Sequence, residues 1–285
     1  MAMGSERRSQ WAGAHDLWLE VFVIFNFVCL TGDIFLAHSE NSFRNRAEYI
    51  PLWFSAIATV LLVSGLFARV RFGSNATWKI TGIAVGWLAI LVGTAGVYFH
   101  LESGFFYELT LKSLTYAAPF VAPLAYTGLG CLLLMNRAVA FPTSDWAKWA
   151  LFFALGGFAG NFGLSLSDHA VNGFYRWTEW IPVFSCALSV GFLLTALLCE
   201  ANTPFFKLCA LVLVLQILVG TVGFFLHALT NLHGPSRNMW QNAIHGAPPF
   251  APLLLPNLAL LGLLGLLAQD RVMRQAQHPI RKNAV

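Results

Sequence analysis

The chain alternates between long apolar stretches and short polar connections. Eight stretches have the length, about 20 residues, that a helix needs to cross a hydrocarbon core of roughly 30 Å. They are residues 17–37, 51–69, 79–100, 116–136, 147–167, 180–200, 206–229 and 247–268. The connections between them are too short to form a separate soluble domain. The pattern predicts an all-α integral membrane protein with eight transmembrane helices.

The second half of this pattern repeats the first. Five positions around the first connection recur 131 residues later, and a histidine and a proline of the later helices recur at offsets of 127 and 129 residues. The pairs are His38 and His169, Asn41 and Asn172, Phe43 and Phe174, Glu48 and Glu179, Pro51 and Pro182, His100 and His227, and Pro123 and Pro252. Four crossings return the chain to the same side of the membrane, so the halves should be related by an axis along the membrane normal.

This repeat divides the chain into four parts. We expect two parallel-repeat four-helix halves at residues 17–136 and 147–268. A cytoplasmic N-terminal segment, residues 1–16, precedes them, and a cytoplasmic C-terminal tail, residues 269–285, follows. The first apolar stretch should be retained as a helix rather than cleaved as a signal peptide, because Glu20 and Asp33 interrupt it.

Composition agrees with a membrane location. Hydrophobic residues make up 57% of the chain and charged residues only 11%, whereas soluble domains carry about 25% charged residues. The lipid bilayer is therefore the expected partner. The basic residues lie in short connections between apolar stretches, where topology explains them, and no nucleic-acid partner is expected.

The distribution of Lys and Arg predicts the orientation of the helices. Twelve of the 17 lie on the side of the two termini, and cytoplasmic loops are the ones enriched in Lys and Arg. The twelve are Arg7, Arg8, Arg69, Arg71, Lys79, Arg137, Lys148, Lys207, Arg271, Arg274, Arg281 and Lys282. We expect a multi-pass protein of the cell inner membrane with both termini cytoplasmic, and with connections 38–50, 101–115, 168–179 and 230–246 outside.

Histidines mark the outer ends of the four helices that run outward. They are His38, His100, His169 and His227. A histidine can simply cap a helix C-terminus, an interaction of roughly 0.3–1 kcal/mol, but Lys, Arg, Asn or Gly would cap as well. The occurrence of histidine at four such helix ends therefore favours a functional site over simple capping. Duplication of one ancestral pair of histidines explains part of this repetition.

Each half also repeats a glutamate near the same interface. Two histidines and one carboxylate with open coordination positions are a known ligand set for non-haem iron, and they suit zinc or copper. The sequence predicts a transition-metal site (Fe, Cu or Zn) in each half. The ligands are His38, Glu48 and His100 in one half, and His169, Glu179 and His227 in the other. Asp33 and Asp168 are candidates for orienting the imidazoles from behind.

Haem b is the alternative cofactor. His38 with His100, and His169 with His227, could be axial ligands within four-helix halves. The heme A synthase family is similar in architecture, with eight spans in two four-helix halves and paired histidines. This resemblance implies bis-histidine haem sites, but here the histidines end the odd-numbered helices and that family's sequence motifs are absent. The repeated glutamates favour non-haem metal, because bis-histidine haem does not need them.

Three functions follow from these observations. The first is a metal-dependent membrane enzyme or oxidoreductase that acts on a hydrophobic substrate such as a quinone or a lipid. The second is a haem b protein that exchanges electrons with quinone. The third is a transporter or a non-catalytic subunit of a larger membrane complex. No hydrolase, metalloprotease, Walker or dinucleotide-binding motif occurs in the sequence, so no catalytic residue is named.

Overall fold

The computed structural model describes residues 2–73, 75–141, 143–199 and 202–282, with side chains over 17–73, 75–141, 143–199 and 202–275. All regular elements within these ranges are helices. The α-helices are α1 (Ala2–Ser39), α2 (Tyr49–Phe72), α3 (Ala76–Glu102), α4 (Phe105–Glu108), α5 (Leu111–Tyr116), α6 (Leu124–Ala138), α7 (Ser144–Val171), α8 (Trp180–Leu198), α9 (Thr203–Leu232), α10 (Met239–His245) and α11 (Leu254–Lys282). Short 3-10 turns are Arg46–Glu48, Trp177–Glu179 and Ala251–Leu253.

Seven helical segments in the described part of the chain are long and apolar enough to cross a membrane. They are Leu17–Ser39, Arg46–Phe72, Ala76–Glu102, Ser144–Val171, Trp177–Leu198, Thr203–Leu232 and Ala251–Gln275. Many large hydrophobic side chains on these helices are exposed, including Val60, Phe67 and Leu91. Such surfaces are stable against lipid but not against water. The all-α class is confirmed, and the helices support a multi-pass membrane protein in contact with a bilayer.

The predicted span 116–136 is not among the seven, because it is not one continuous helix. Helix α5 ends at Tyr116 and α6 begins at Leu124. Pro119 and Pro123 lie between them; proline lacks the N–H that a helix interior requires, and it disfavours helical backbone in the preceding residue. The helix resumes directly after Pro123, where the missing N–H has no cost. At 15 residues, α6 is only about 22 Å long.

Matching contacts hold the helices together in the two halves. Helix α2 packs on α1 and α3, as α8 packs on α7 and α9. Helix α3 also packs along α6, and α9 along α11. A Cβ atom added to Gly93 would lie 2.9 Å from the Pro123 carbonyl oxygen, and one added to Gly220 would lie 2.5 Å from that of Pro252. Only glycine permits both approaches, so these glycines let the helices pack closely, as small residues do in membrane proteins.

The two halves also contact each other. Helix α5 of the first half packs on α7, and α10 of the second half packs on α1. Between α1 and α11, the Asn26 amide donates a hydrogen bond of 3.1 Å to Asn257 Oδ1, and the Asn257 amide donates one back to Asn26. The connection that follows α3 or α9 thus lies against the first, histidine-bearing helix of the other half.

A buried ion pair joins α1, α3 and α6. Both Nη atoms of Arg137 donate to the Glu20 carboxylate at 2.7 Å, and the two side chains are only 2% and 1% exposed. The guanidinium also lies 3.8 Å from the centre of the Trp78 ring, and its Nε donates to the Trp78 carbonyl oxygen at 3.2 Å. A Cβ atom on Gly82 would lie 2.3 Å from Nε, so this glycine leaves the space that the guanidinium occupies.

Candidate metal centre

The chain reverses sharply after each histidine that ends α1 or α7. The Phe43 N–H donates to the His38 carbonyl oxygen at 3.0 Å, and the Phe174 N–H donates to that of His169 at the same distance. Phe43 has φ 51° and Phe174 has φ 50°, which is left-handed backbone. This conformation closes the helix end and turns the following residues back over the histidine.

The two glutamates lie in the 3-10 turns that follow. Oε1 of Glu48 accepts from the Asn45 N–H and from the Asn41 amide, both at 3.3 Å. Oε1 of Glu179 accepts from the Arg176 N–H at 3.3 Å. Because the backbone holds Oε1 in each half, the second carboxylate oxygen is fixed in direction. Asn41 also accepts from the Phe43 N–H at 3.1 Å through its Oδ1, so its side chain joins the turn to the Glu48 carboxylate.

Each second carboxylate oxygen faces an imidazole. Glu48 Oε2 lies 3.5 Å from His38 Nδ1, and Glu179 Oε2 lies 3.7 Å from His169 Nδ1. Both oxygens are fully buried, and neither has a hydrogen-bond partner among the described residues. The same buried, unsatisfied atom therefore occurs at equivalent positions in the two halves.

The other two histidines bind the irregular segments that precede the last helix of each half. His100 Nδ1 lies 3.0 Å from the Pro119 carbonyl oxygen, and His227 Nδ1 lies 2.8 Å from that of Pro248. A carbonyl oxygen only accepts hydrogen bonds, so each Nδ1 carries a proton, and in the neutral imidazole Nε2 then has the lone pair. This is the tautomer in which histidine ligates metals through Nε2.

The six predicted ligands lie in two loose groups, one in each half, and each glutamate is close to only one of the two histidines of its group. The rings of His38 and His100 have centroids 6.4 Å apart and planes at 83°. His100 is also close enough to Glu48 for the carboxylate to interact electrostatically with its imidazole. In the other half, His169 interacts electrostatically with both Glu179 and His227.

No group of three or more His, Cys, Asp or Glu in the described ranges is arranged to hold a metal ion as it stands. The ligand sets therefore stay a prediction. Two imidazoles on one tetrahedral ion have centroids about 5 Å apart, given metal–nitrogen bonds of about 2.0–2.1 Å. The rings of His38 and His100, whose centroids are 6.4 Å apart, would need to approach each other by about 1 Å to bind one tetrahedral ion.

The orienting acceptors differ from those that the sequence suggested. The Pro119 and Pro248 carbonyl oxygens face the Nδ1 atoms of His100 and His227, in the positions proposed for Asp33 and Asp168. Asp33 lies on α1, five residues before His38, and interacts electrostatically with Tyr126 and Cys29. The repeated prolines were visible in the sequence, but residue types alone do not show where a carbonyl points.

No protein-family model matches the chain, and comparisons with curated proteins and with solved structures found no match either. The function is therefore inferred from the chemistry of the two groups.

Proposed function

We propose that the chain is a membrane metalloprotein in which each half binds one transition-metal ion, Fe, Cu or Zn. The ligands are those predicted from the sequence, two imidazoles and one carboxylate per half. The observation that carries the proposal is the buried Oε2 atom of Glu48, which accepts no hydrogen bond among the described residues, repeated in Glu179. An unsatisfied buried polar group costs roughly 1–3 kcal/mol, and more when it is charged. A bound cation would compensate both oxygens.

The distances support an ion between carboxylate and imidazole. Separations of 3.5 and 3.7 Å are longer than the roughly 2.7–2.9 Å of a charge-assisted hydrogen bond. Ligand atoms on neighbouring corners of a tetrahedral site are about 3.4 Å apart when each bond is about 2.1 Å. His38 Nδ1 and Glu48 Oε2 therefore have the spacing of two ligands to one ion.

The position of the groups favours a metal-dependent oxidoreductase. Three protein ligands leave a coordination position open for a substrate or for oxygen. Both groups lie at the ends of apolar helices, within reach of molecules dissolved in the bilayer. A quinone or a lipid is the substrate class that this location favours.

Haem b is the second candidate, and the ring separation favours it. Two imidazoles on opposite sides of one iron have centroids about 6.3 Å apart, with bonds of about 2.0 Å, close to the 6.4 Å between His38 and His100. In this arrangement the glutamates would orient imidazoles instead of ligating. The glutamates therefore do not argue against haem as strongly as the sequence alone suggested.

A visible spectrum of the purified protein, combined with elemental analysis, separates the candidates. Iron, copper or zinc at about two ions per chain without a Soret band supports the non-haem centre. A Soret band with a low-spin bis-histidine signature supports haem b. If protein purified without chelators contains neither metal nor haem, both candidate cofactors are wrong. The function that then fits is a transporter or a non-catalytic subunit of a larger membrane complex.

We further propose eight crossings, with α6 as the short fourth one. Residues 117–123 would complete that crossing as non-helical backbone, which a membrane tolerates where it is buried in protein. The hydrogen bond from His100 to the Pro119 carbonyl satisfies part of it. The recurring contacts of α1–α3 and α7–α9 support two parallel halves, residues 17–136 and 147–268.

Chemical labelling tests the orientation. In a background without the five native cysteines, a Tyr175→Cys chain should react with a membrane-impermeant maleimide in intact cells, because Tyr175 is 85% exposed in a connection predicted to face outside. The matched control keeps only Cys199, which is exposed at a predicted cytoplasmic helix end, and it should react only after lysis. The reverse pattern would contradict the orientation and the outer location of the metal groups.

A further inference from the structure

Phe43 and Phe174 have a backbone conformation that is unfavourable for their residue type. Both are left-handed, with φ 51° and 50°, a conformation that is unfavourable for any residue with a side chain. Glycine would avoid this cost, and Gly173 does so one position earlier with φ 67°. The two halves nevertheless share phenylalanine at this position. Strained backbone that persists in a fold points to a function for the residue.

The rings of these phenylalanines contact the candidate ligands. Phe43 lies 5.9 Å from the His38 ring, centroid to centroid, and stacks on Tyr49 at 4.5 Å. Phe174 lies 6.2 Å from the His169 ring and stacks on Trp180 at 3.8 Å, with planes 10° apart. Each phenylalanine is thus fixed between an imidazole and a second aromatic ring at the start of the next helix.

We propose that Phe43 and Phe174 are positioning residues for the metal centres, an inference that rests on the proposed function. The χ2 angle of histidine has a broad distribution, so a helix end alone does not fix the plane of the imidazole. The phenylalanine ring restricts the imidazole from one side, while the glutamate Oε2 faces Nδ1. Together they restrict the orientation of the His38 and His169 rings.

A purely structural role makes a different prediction. Aromatic side chains concentrate at membrane interfaces, where they anchor helices. If Phe43 and Phe174 served only as such anchors, replacing them would change stability and leave the affinity for metal unaltered. Metal affinity and ligand geometry therefore separate the two roles.

The test is a Co²⁺ titration of the full chain, purified in detergent and freed of metal. In a Phe43→Leu/Phe174→Leu chain, which stays apolar but loses the flat rings, the Kd for Co²⁺ should rise about 10–100-fold, the range for residues that orient ligands. The visible Co²⁺ bands should also shift. The matched Phe43→Tyr/Phe174→Tyr control keeps the rings and should bind Co²⁺ like the wild type.

A Phe43→Gly/Phe174→Gly chain gives an independent measurement, because glycine relieves the left-handed strain. Its Kd should also rise even though the left-handed strain has been removed. Wild-type protein that binds Co²⁺, with Leu and Gly variants that bind it equally well and with unchanged bands, would overturn the positioning role and leave the metal centre standing. Wild-type protein that does not bind Co²⁺ would instead contradict the non-haem centre itself.

Discussion

A Glu20→Gln chain should lose about 3–5 kcal/mol of its free energy of unfolding, because the substitution leaves the buried Arg137 guanidinium without its counter-charge. The loss should be large since Arg137 is 2% exposed and cannot turn to water. Arg137→Gln should cost a similar amount. Reversible unfolding in mixed micelles, followed by circular dichroism, measures both.

Two controls show whether charge is the cause. A Glu20→Met/Arg137→Met chain removes both charges and fills similar volume, so it should recover most of the loss. Asp270→Asn breaks the more exposed pair of Asp270 and Arg274, which are 28% and 76% exposed, and should cost less than about 1 kcal/mol. A loss below about 1 kcal/mol in the single Glu20 variant would mean that water reaches the pair.

Replacing His100 and His227 by asparagine should abolish metal binding while it preserves the fold. Asparagine can place its amide N–H where Nδ1 lies, and so keep the hydrogen bonds to the Pro119 and Pro248 carbonyls. It has no atom at Nε2, the proposed ligand. Each single variant should lower the metal content from about two ions per chain to about one. The affinity loss at the altered site should exceed the roughly 10–100-fold that orienting residues cost.

His233→Ala is the matched control for this experiment. His233 directly follows α9 and bonds locally, with Nδ1 2.8 Å from the Leu229 carbonyl oxygen. Its loss should leave the metal content unchanged. If the asparagine chains keep both their metal content and their thermal stability, His100 and His227 act as caps for the segments at Pro119 and Pro248, and the ligand role is wrong.

The grouping of histidines and glutamates could be predicted from the sequence because helix direction determines it. Helices that run the same way end at the same interface, so His38 and His100 had to lie at similar depth. The connection from His38 to Glu48 is short, which brings the carboxylate back to the imidazole at 3.5 Å. Periodicity and connection length were sufficient for this part of the site.

Other features depend on tertiary contacts that local patterns do not encode. Glu20 and Arg137 are 117 residues apart in the sequence, and Arg137 is one of the twelve basic residues predicted to lie on the cytoplasmic side. Without the buried Arg137, eleven basic residues remain on the predicted cytoplasmic side and five on the predicted outer side. The predicted orientation is therefore unchanged. The break before α6 could have been inferred from Pro119 and Pro123, but a continuous apolar run concealed it. The carbonyl that accepts from His100 is visible only once that break is known.

X-ray absorption spectroscopy of the metal that copurifies with the protein tests the central claim most directly. The proposal predicts a first shell of nitrogen and oxygen at about 2.0–2.2 Å, with imidazole scattering from two histidines per ion. This scattering should disappear in a chain with asparagine at His38, His100, His169 and His227. A shell of sulfur, a shell of water oxygens alone, or an identical spectrum in the fourfold variant would contradict a histidine-ligated centre in this protein.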